Sequence, residues 1–165
     1  MNTSTNLDNP VFFGRIVIRG AMTYSTIILA IAKTVGVPGA LLLAICTHES
    51  HLQNVVAPQD HGSPSYGLCQ IKQDTAKAMG YTGDGQGLMN PDTNVRYAAQ
   101  YLKMQLERYD GDWCKATSAY NAGIYTESKV VPGKPRNLKY IKGVTLLLDD
   151  EHKDFLICGP RKVEE

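Results

Sequence analysis

The chain has 165 residues, of which 43% are hydrophobic and 20% charged, and a formal net charge of +1. That is long enough for one domain with its own core and too apolar for disorder, while the near-zero charge excludes nucleic acid or an anionic membrane as a partner recruited by bulk electrostatics. The apolar stretch 21–46 is broken by Lys33, Gly36, Pro38 and Gly39, so it is neither a membrane span of about 20 clean apolar residues nor a good cleavable signal.

In chain order, residues 1–10 are polar, and Val11–Arg19 alternates as a short strand or an extended arm would. Thr26–Val35 reads as a first helix capped by Ser25 or Thr26. Pro38–His48 reads as a second, with proline in the favoured first turn. Residues 53–66 read as a polar loop carrying Pro58, Gly62 and Pro64, followed by an extended piece, Tyr66–Ile71. Asp74–Met79 is a short helix, and Gly83–Gly87 a loop. Asn94–Tyr109 carries the strongest apolar stripe, on Val95, Ala98, Ala99, Leu102, Leu106 and Tyr109. Asp112 caps a helix through Tyr120, which Gly123 can stop. Leu138–Leu148 presents Tyr140, Ile141, Val144 and Leu148 on one face. The expected organisation is an N-terminal arm (1–22), a mainly helical domain (23–148), and a charged tail (149–165) on or beside the domain. The cysteines, Cys46, Cys69, Cys114 and Cys158, are widely spaced without a CxxC. Free thiols are expected over a disulfide framework, although one bond is compatible with the sequence.

Glu49 is the residue whose placement asks for an explanation. Leu42, Ile45, Cys46 and Glu49 fall at i, i+3, i+4 and i+7, so the carboxyl shares the core-facing stripe of its helix. Burial there and the negative end of the helix dipole both raise its pKa, as a general acid requires. Two further segments carry complementary chemistry: Ser65-Tyr-Gly-Leu-Cys-Gln70 and Ala119-Tyr-Asn-Ala-Gly123. One acid, two amides and aromatic surface suit a sugar polymer, whose hydroxyl and acetamido groups bond to amides and whose rings stack on tyrosine.

The ordered set Glu49-Ser50, Gly67-Leu-Cys-Gln70, Ala119-Tyr-Asn-Ala-Gly123 and Tyr140 resembles the soluble-type lytic transglycosylase domain, from about Thr26 to Val144. The resemblance implies a mainly α (α+β) lysozyme-like fold, a helical bundle around a glycan cleft with a small extended segment. It implies that the β-1,4 bond between N-acetylmuramic acid and N-acetylglucosamine is cut, with Glu49 as acid and then base and a 1,6-anhydromuramoyl product. Ser50, Ser65, Tyr66, Gln70, Tyr120, Asn121 and Tyr140 are the expected substrate-binding residues. Peptidoglycan is the expected partner, for a monomer with no cofactor, no metal, no nucleic acid and no stable membrane insertion. The setting it suggests is the bacterial cell wall, for a phage enzyme of lysis or injection. Cys69 departs from the family's usual methionine, and His51-Leu52 from its glycine-phenylalanine.

Each assignment has a plainer competitor. Gln70 and Asn121 can be loop-fixing or capping amides. Tyr120 and Tyr140 can be core aromatics, and Ser50 can bond to backbone or orient the acid. No second carboxylate lies in a matching motif, since Asp60, Asp74 and Asp84 read as loop caps or solvated residues. A goose-type lysozyme, which hydrolyses with water, is the main alternative, and a non-catalytic wall-binding module is another. His48-Glu-Ser-His51, with His61, superficially suggests zinc, but the imidazoles are spaced i, i+3 where a zincin helix needs i, i+4.

Overall fold

The order of elements follows from which helical stripes find partners. A computed structural model describes the backbone of residues 15–158 and side chains from Tyr24 onward. Helices α1 (Arg15–Val35) and α2 (Gly39–Ser50) are joined through Gly36–Pro38. A three-stranded antiparallel sheet follows, built from β1 (Val56–Asp60), β2 (Ser63–Tyr66) and β3 (Ile71–Lys72) in the order β1-β2-β3. Then come α3 (Gln73–Ala78), a 3₁₀ turn at Gly87–Met89, α4 (Pro91–Arg108), α5 (Trp113–Ala122), α6 (Leu138–Thr145), α7 (Asp150–Lys153) and a closing 3₁₀ turn, Asp154–Leu156. The mainly helical reading with a small extended segment holds.

Helix α4 is the centre of the bundle, packed between α1 and α5. Asn90 caps it by accepting from Thr93 N–H, and Pro91 occupies its first turn. Val95, Ala98, Ala99 and Leu102 are fully buried, and the predicted stripe fades at half-buried Leu106 and Tyr109. Ile28, Ile31 and Ala32 of α1 and Leu41, Leu42, Ile45 and Cys46 of α2 complete this core. Ile141 and Val144 of α6 and Leu148 beyond it close the α6 side as the sequence predicts.

Four expectations are corrected. The strand or arm reading of Val11–Arg19 falls partly outside the described residues, and Arg15–Arg19 is the start of α1. The expected arm 1–22 therefore includes helix from residue 15 onward. A nucleated helix propagates cheaply, and the β-branched preference of Ile16, Val17 and Ile18 is too weak to stop it. The loop 53–66 is largely a hairpin, turned at His61 and Gly62, both with positive φ as a type I′ turn requires. Its prolines signal loop in sequence, but Pro58 sits within a β-bulge, where no ladder N–H is needed. Leu68–Gln70 is a tight turn, not extended chain.

The fourth correction concerns the thiols: Cys46 pairs with Cys69 and Cys114 with Cys158, leaving no free cysteine among the described residues. Separations of 23 and 44 residues carry no sequence signature, because only the fold brings these helices and turns together. The second bond also ties down the C-terminal segment. Leu156 and Cys158 are buried, Trp113 stacks on His152 and meets Phe155, and Lys134 Nζ donates to Cys158 O at 2.6 Å. No described helix is long and apolar enough to cross a membrane.

Candidate active site

A cleft of about 950 Å³ runs between the hairpin and the α5–α6 side of the bundle. Helices α2 and α5 supply Glu49, Ser118, Tyr120 and Asn121 to it, and Asn137 comes from just before α6. From across the cleft come Ala57, Asp60 and His61 on the hairpin, Lys72 on β3, and Gln70.

Glu49 lies at the open end of the predicted stripe. Leu42, Ile45 and Cys46 below it are fully buried, whereas Glu49 is half-buried and reaches the cleft. Tyr140 O–H donates to its Oε1 at 2.6 Å. Helix α6 can approach α2 closely enough for this because Gly143 faces the His48 ring, where a Cβ would collide with the imidazole. The same ring meets Tyr140 edge-on at 5.0 Å. Burial raises the Glu49 pKa from 4.5 to about 7; the Tyr140 hydrogen bond opposes that rise and the Asp60 charge adds to it. Burial and the charge of Glu49 push the Tyr140 hydroxyl well above its ordinary value, so it stays a donor.

Gln70 sits in the turn that Asn94 organises. Asn94 is fully buried on α4: its Oδ1 accepts from Cys69 N–H at 2.9 Å, and its Nδ2 donates to Tyr66 O at 2.7 Å and Leu88 O at 3.0 Å. Gly67 is required beside it, because its φ is +74° and a Cβ would strike that amide. The Cys46–Cys69 bond joins this turn to α2 one helical turn before Glu49. Tyr120 closes the junction, its hydroxyl donating to Cys69 O at 3.0 Å and its ring tilted against Tyr101 at 5.3 Å.

The sequence-predicted residues divide accordingly. Glu49, Gln70, Tyr120 and Asn121 meet in the cleft, and Tyr140 lies behind the acid. Ser50, Ser65 and Tyr66 do not line it. Ser50 is buried and its hydroxyl donates to Leu68 O at 2.6 Å, fastening α2 to the turn. Ser65 is fully buried and donates to Asp60 Oδ2. Tyr66 closes on Gly85. Gln70 Nε2 donates to Val55 O and Gly67 O, so the competing loop-fixing role is real, while its side chain still borders the cleft.

Sequence reasoning missed Asn137, Ser118 and Asp60. Asn137 donates to Asn121 Oδ1 at 2.9 Å and to Ser118 O at 3.0 Å, and accepts from Ser118 Oγ at 2.6 Å, which fixes the amide wall. Nothing local marks residues 16 and 19 positions apart as partners. Asp60 did have a signal. Proline two residues before a turn aspartate hints at a bulge, and a bulge moves the residues after it to the other face. His48 is committed to Tyr140 and Gly143, and His61 is exposed 3.8 Å from Asp60 Oδ1. Among the described residues no three His, Cys, Asp or Glu side chains converge as a metal site would need.

Residues 26–140 match the family model described as the transglycosylase SLT domain. The chain belongs to this family. A curated relative, the peptidoglycan transglycosylase gp16 of Escherichia phage T7, is 31% identical over 93 residues, 54% of this chain and 7% of its own length. Among solved structures, an inactive mutant of the lytic transglycosylase Slt from Pseudomonas aeruginosa superposes with a TM-score of 0.55 at 22% identity, over 86% of this chain and 23% of that one. The SLT domain described here thus spans a small part of either relative, and the structural match establishes the shared fold.

Proposed function

We propose that the chain is a peptidoglycan lytic transglycosylase cutting the β-1,4 bond between N-acetylmuramic acid and N-acetylglucosamine. The observation that carries this reading is Glu49: half-buried in the cleft of an SLT domain, hydrogen-bonded by Tyr140, with its pKa raised to about 7. A carboxyl titrating there is present in both protonation states near neutral pH, as one residue serving first as acid and then as base requires.

Tyr140 donates to Oε1, which leaves Oε2 to carry the proton toward the glycosidic oxygen. As the C1–O4 bond breaks, its electron pair and the Glu49 proton leave with O4. The muramoyl acetamido oxygen closes on C1, which carries the developing charge. Glu49, now a carboxylate held by the same hydroxyl, takes the proton of the C6 hydroxyl. O6 attacks C1, the acetamido group regains its electrons, and a 1,6-anhydro end forms without water. Asn121 keeps its Nδ2 for sugar oxygens while Asn137 occupies its Oδ1, and Gln70 and the Tyr120 ring border the glycan path. Ser50 and Ser65 act in this scheme as positioning residues, and Tyr66 as packing.

The two disulfides fit an oxidising compartment, which supports action on the cell wall outside the cytoplasm. The phage T7 relative supports a phage origin, and we expect a monomer. A goose-type hydrolase is the second reading, favoured by one observation, the second carboxylate Asp60 in the cleft. Digesting purified peptidoglycan and weighing the muropeptides separates the two. Anhydro ends, reduced about 10²- to 10⁴-fold in Glu49→Gln, are expected. Reducing ends from the wild type would overturn the transglycosylase reading, and a fully active Glu49→Gln would overturn the acid itself.

A further inference from the structure

Asp60 faces the cleft because of a single inserted residue. Ala57 pairs with Ser65 and Asp60 with Ser63, so three residues of β1 advance while two of β2 do. In a regular strand Asp60 would lie on the face opposite Ala57, since the side-chain period is two. The bulge at Pro58 and Gln59 cancels that, and both Ala57 and Asp60 line the cleft. The carboxylate is then fixed from below. Fully buried Ser65 donates to Oδ2, and Lys72 Nζ donates to the Asp60 carbonyl at 2.5 Å and stands 3.8 Å from Oδ2. Oδ1 has only the exposed His61 ring, 3.8 Å away. One oxygen is anchored, and the other belongs to a cleft-lining side chain and is left to a new partner.

Glu49 and Asp60 are the only carboxyl groups among the cleft-lining residues, and the Asp60 charge acts on Glu49. Both asparagine oxygens of the cleft already accept, Asn121 Oδ1 from Asn137 and Asn137 Oδ1 from Ser118, and Gln70 is turned to backbone through its amino group. The reaction proposed above, on which this inference rests, employs Glu49 as both acid and base and so needs no activated water. What it lacks is an acceptor for the acetamido N–H, on the nitrogen that becomes positively charged as its carbonyl oxygen closes on C1.

We propose that Asp60 is that acceptor: its free oxygen takes the muramoyl acetamido N–H and holds the carbonyl oxygen toward the anomeric carbon. The N–H proton stays on nitrogen throughout. The carboxylate faces the positive charge while the ring forms and is left unchanged when O6 displaces it. Orientation of this kind accounts for about 100-fold in rate.

The test is a two-by-two comparison of wild type and Asp60→Ala on purified peptidoglycan and on peptidoglycan whose acetyl groups have been exchanged for trifluoroacetyl, a poorer nucleophile. Turnover is read as bonds cut per unit time whichever end forms. Wild type is expected to slow sharply on the fluorinated glycan. Asp60→Ala is expected to be about 100-fold slower on the natural one and to lose little more on fluorination, because the two changes remove the same interaction. Equal sensitivity of both proteins to fluorination would overturn the proposal and leave Asp60 a hairpin brace, as would an Asp60→Ala rate within threefold of wild type. Asp60→Asn is run alongside with thermal melts, and replaces the alanine variant in the comparison if that variant does not fold. Reducing ends from the wild type would overturn the transglycosylase reading, but not this one, if the coupling between residue 60 and the acetyl group persists.

Discussion

The two walls of the cleft are built by different means. On the helical wall, Glu49, Tyr120 and Asn121 stand where the 3.6-residue repeat of their own helices puts them, and the helices are held by packing against neighbouring helices. On the hairpin wall, Asp60, Lys72 and Gln70 depend on ties from elsewhere: the bulge against β2, the buried Ser65, the Asn94 amide and the Cys46–Cys69 bond. The carboxyl groups reflect this difference. Glu49 is shaped by burial and one tyrosine, while Asp60 is shaped by a lysine, a serine and a histidine gathered around a turn. Chemistry on a helix needs only the helix to pack; chemistry on a short hairpin needs the rest of the fold to aim it.

The sharpest way to break this contrast is at Asn94. Asn94→Ala leaves Cys69 N–H and the Tyr66 and Leu88 carbonyls without their partner, a loss of about 3 kcal/mol or more. A melting temperature lower by roughly 6–12 °C is expected. Hydrogen exchange should show residues 56–72 losing protection while α5 keeps its own. Uniform loss across both walls would end the distinction.

A smaller effect is expected at Tyr140, inside the helical wall. The Tyr140 bond holds the Glu49 pKa down, so Tyr140→Phe raises it further. The basic limb of the pH–rate profile, where Glu49 can no longer donate, should move to higher pH, with turnover about tenfold lower. A limb that moves to lower pH would contradict the assigned hydrogen bond.

The smallest effect concerns stability. Folded Glu49 holds its proton to about pH 7, whereas its ordinary value is 4.5. Between those values the native state binds more protons than the unfolded chain, so the contribution of Glu49 is fully present below about pH 4.5 and is lost as pH rises through about 7. Glutamine cannot ionise. Glu49→Gln should melt with the wild type at pH 4 and a few degrees above it at pH 8. Equal melting at both would mean that the carboxyl is solvated.

Much of the helical wall was legible in the sequence. The α4 stripe, the α2 stripe ending in Glu49, and the cap at Asp112 are local patterns, and a local pattern survives in one dimension. The hairpin was hidden because its punctuation, Pro58, Gly62 and Pro64, is the same punctuation that marks loops. Asp60 reads as a solvated turn residue for that reason, and Arg15–Arg19 reads as extended chain although β-branched preference weighs less than continuation of a helix.

By itself, the sequence determined the helices, their buried faces and the placement of one acid at the end of an apolar stripe, because helical periodicity is set by residues within a turn or two of one another. Only the tertiary structure decided that Tyr140 reaches Glu49 across 91 residues, that Asn137 ties Asn121 to Ser118, that the four cysteines pair, and that Asp60 turns inward. Each of those depends on two distant segments meeting, and the geometry of that meeting is fixed by how the whole core packs.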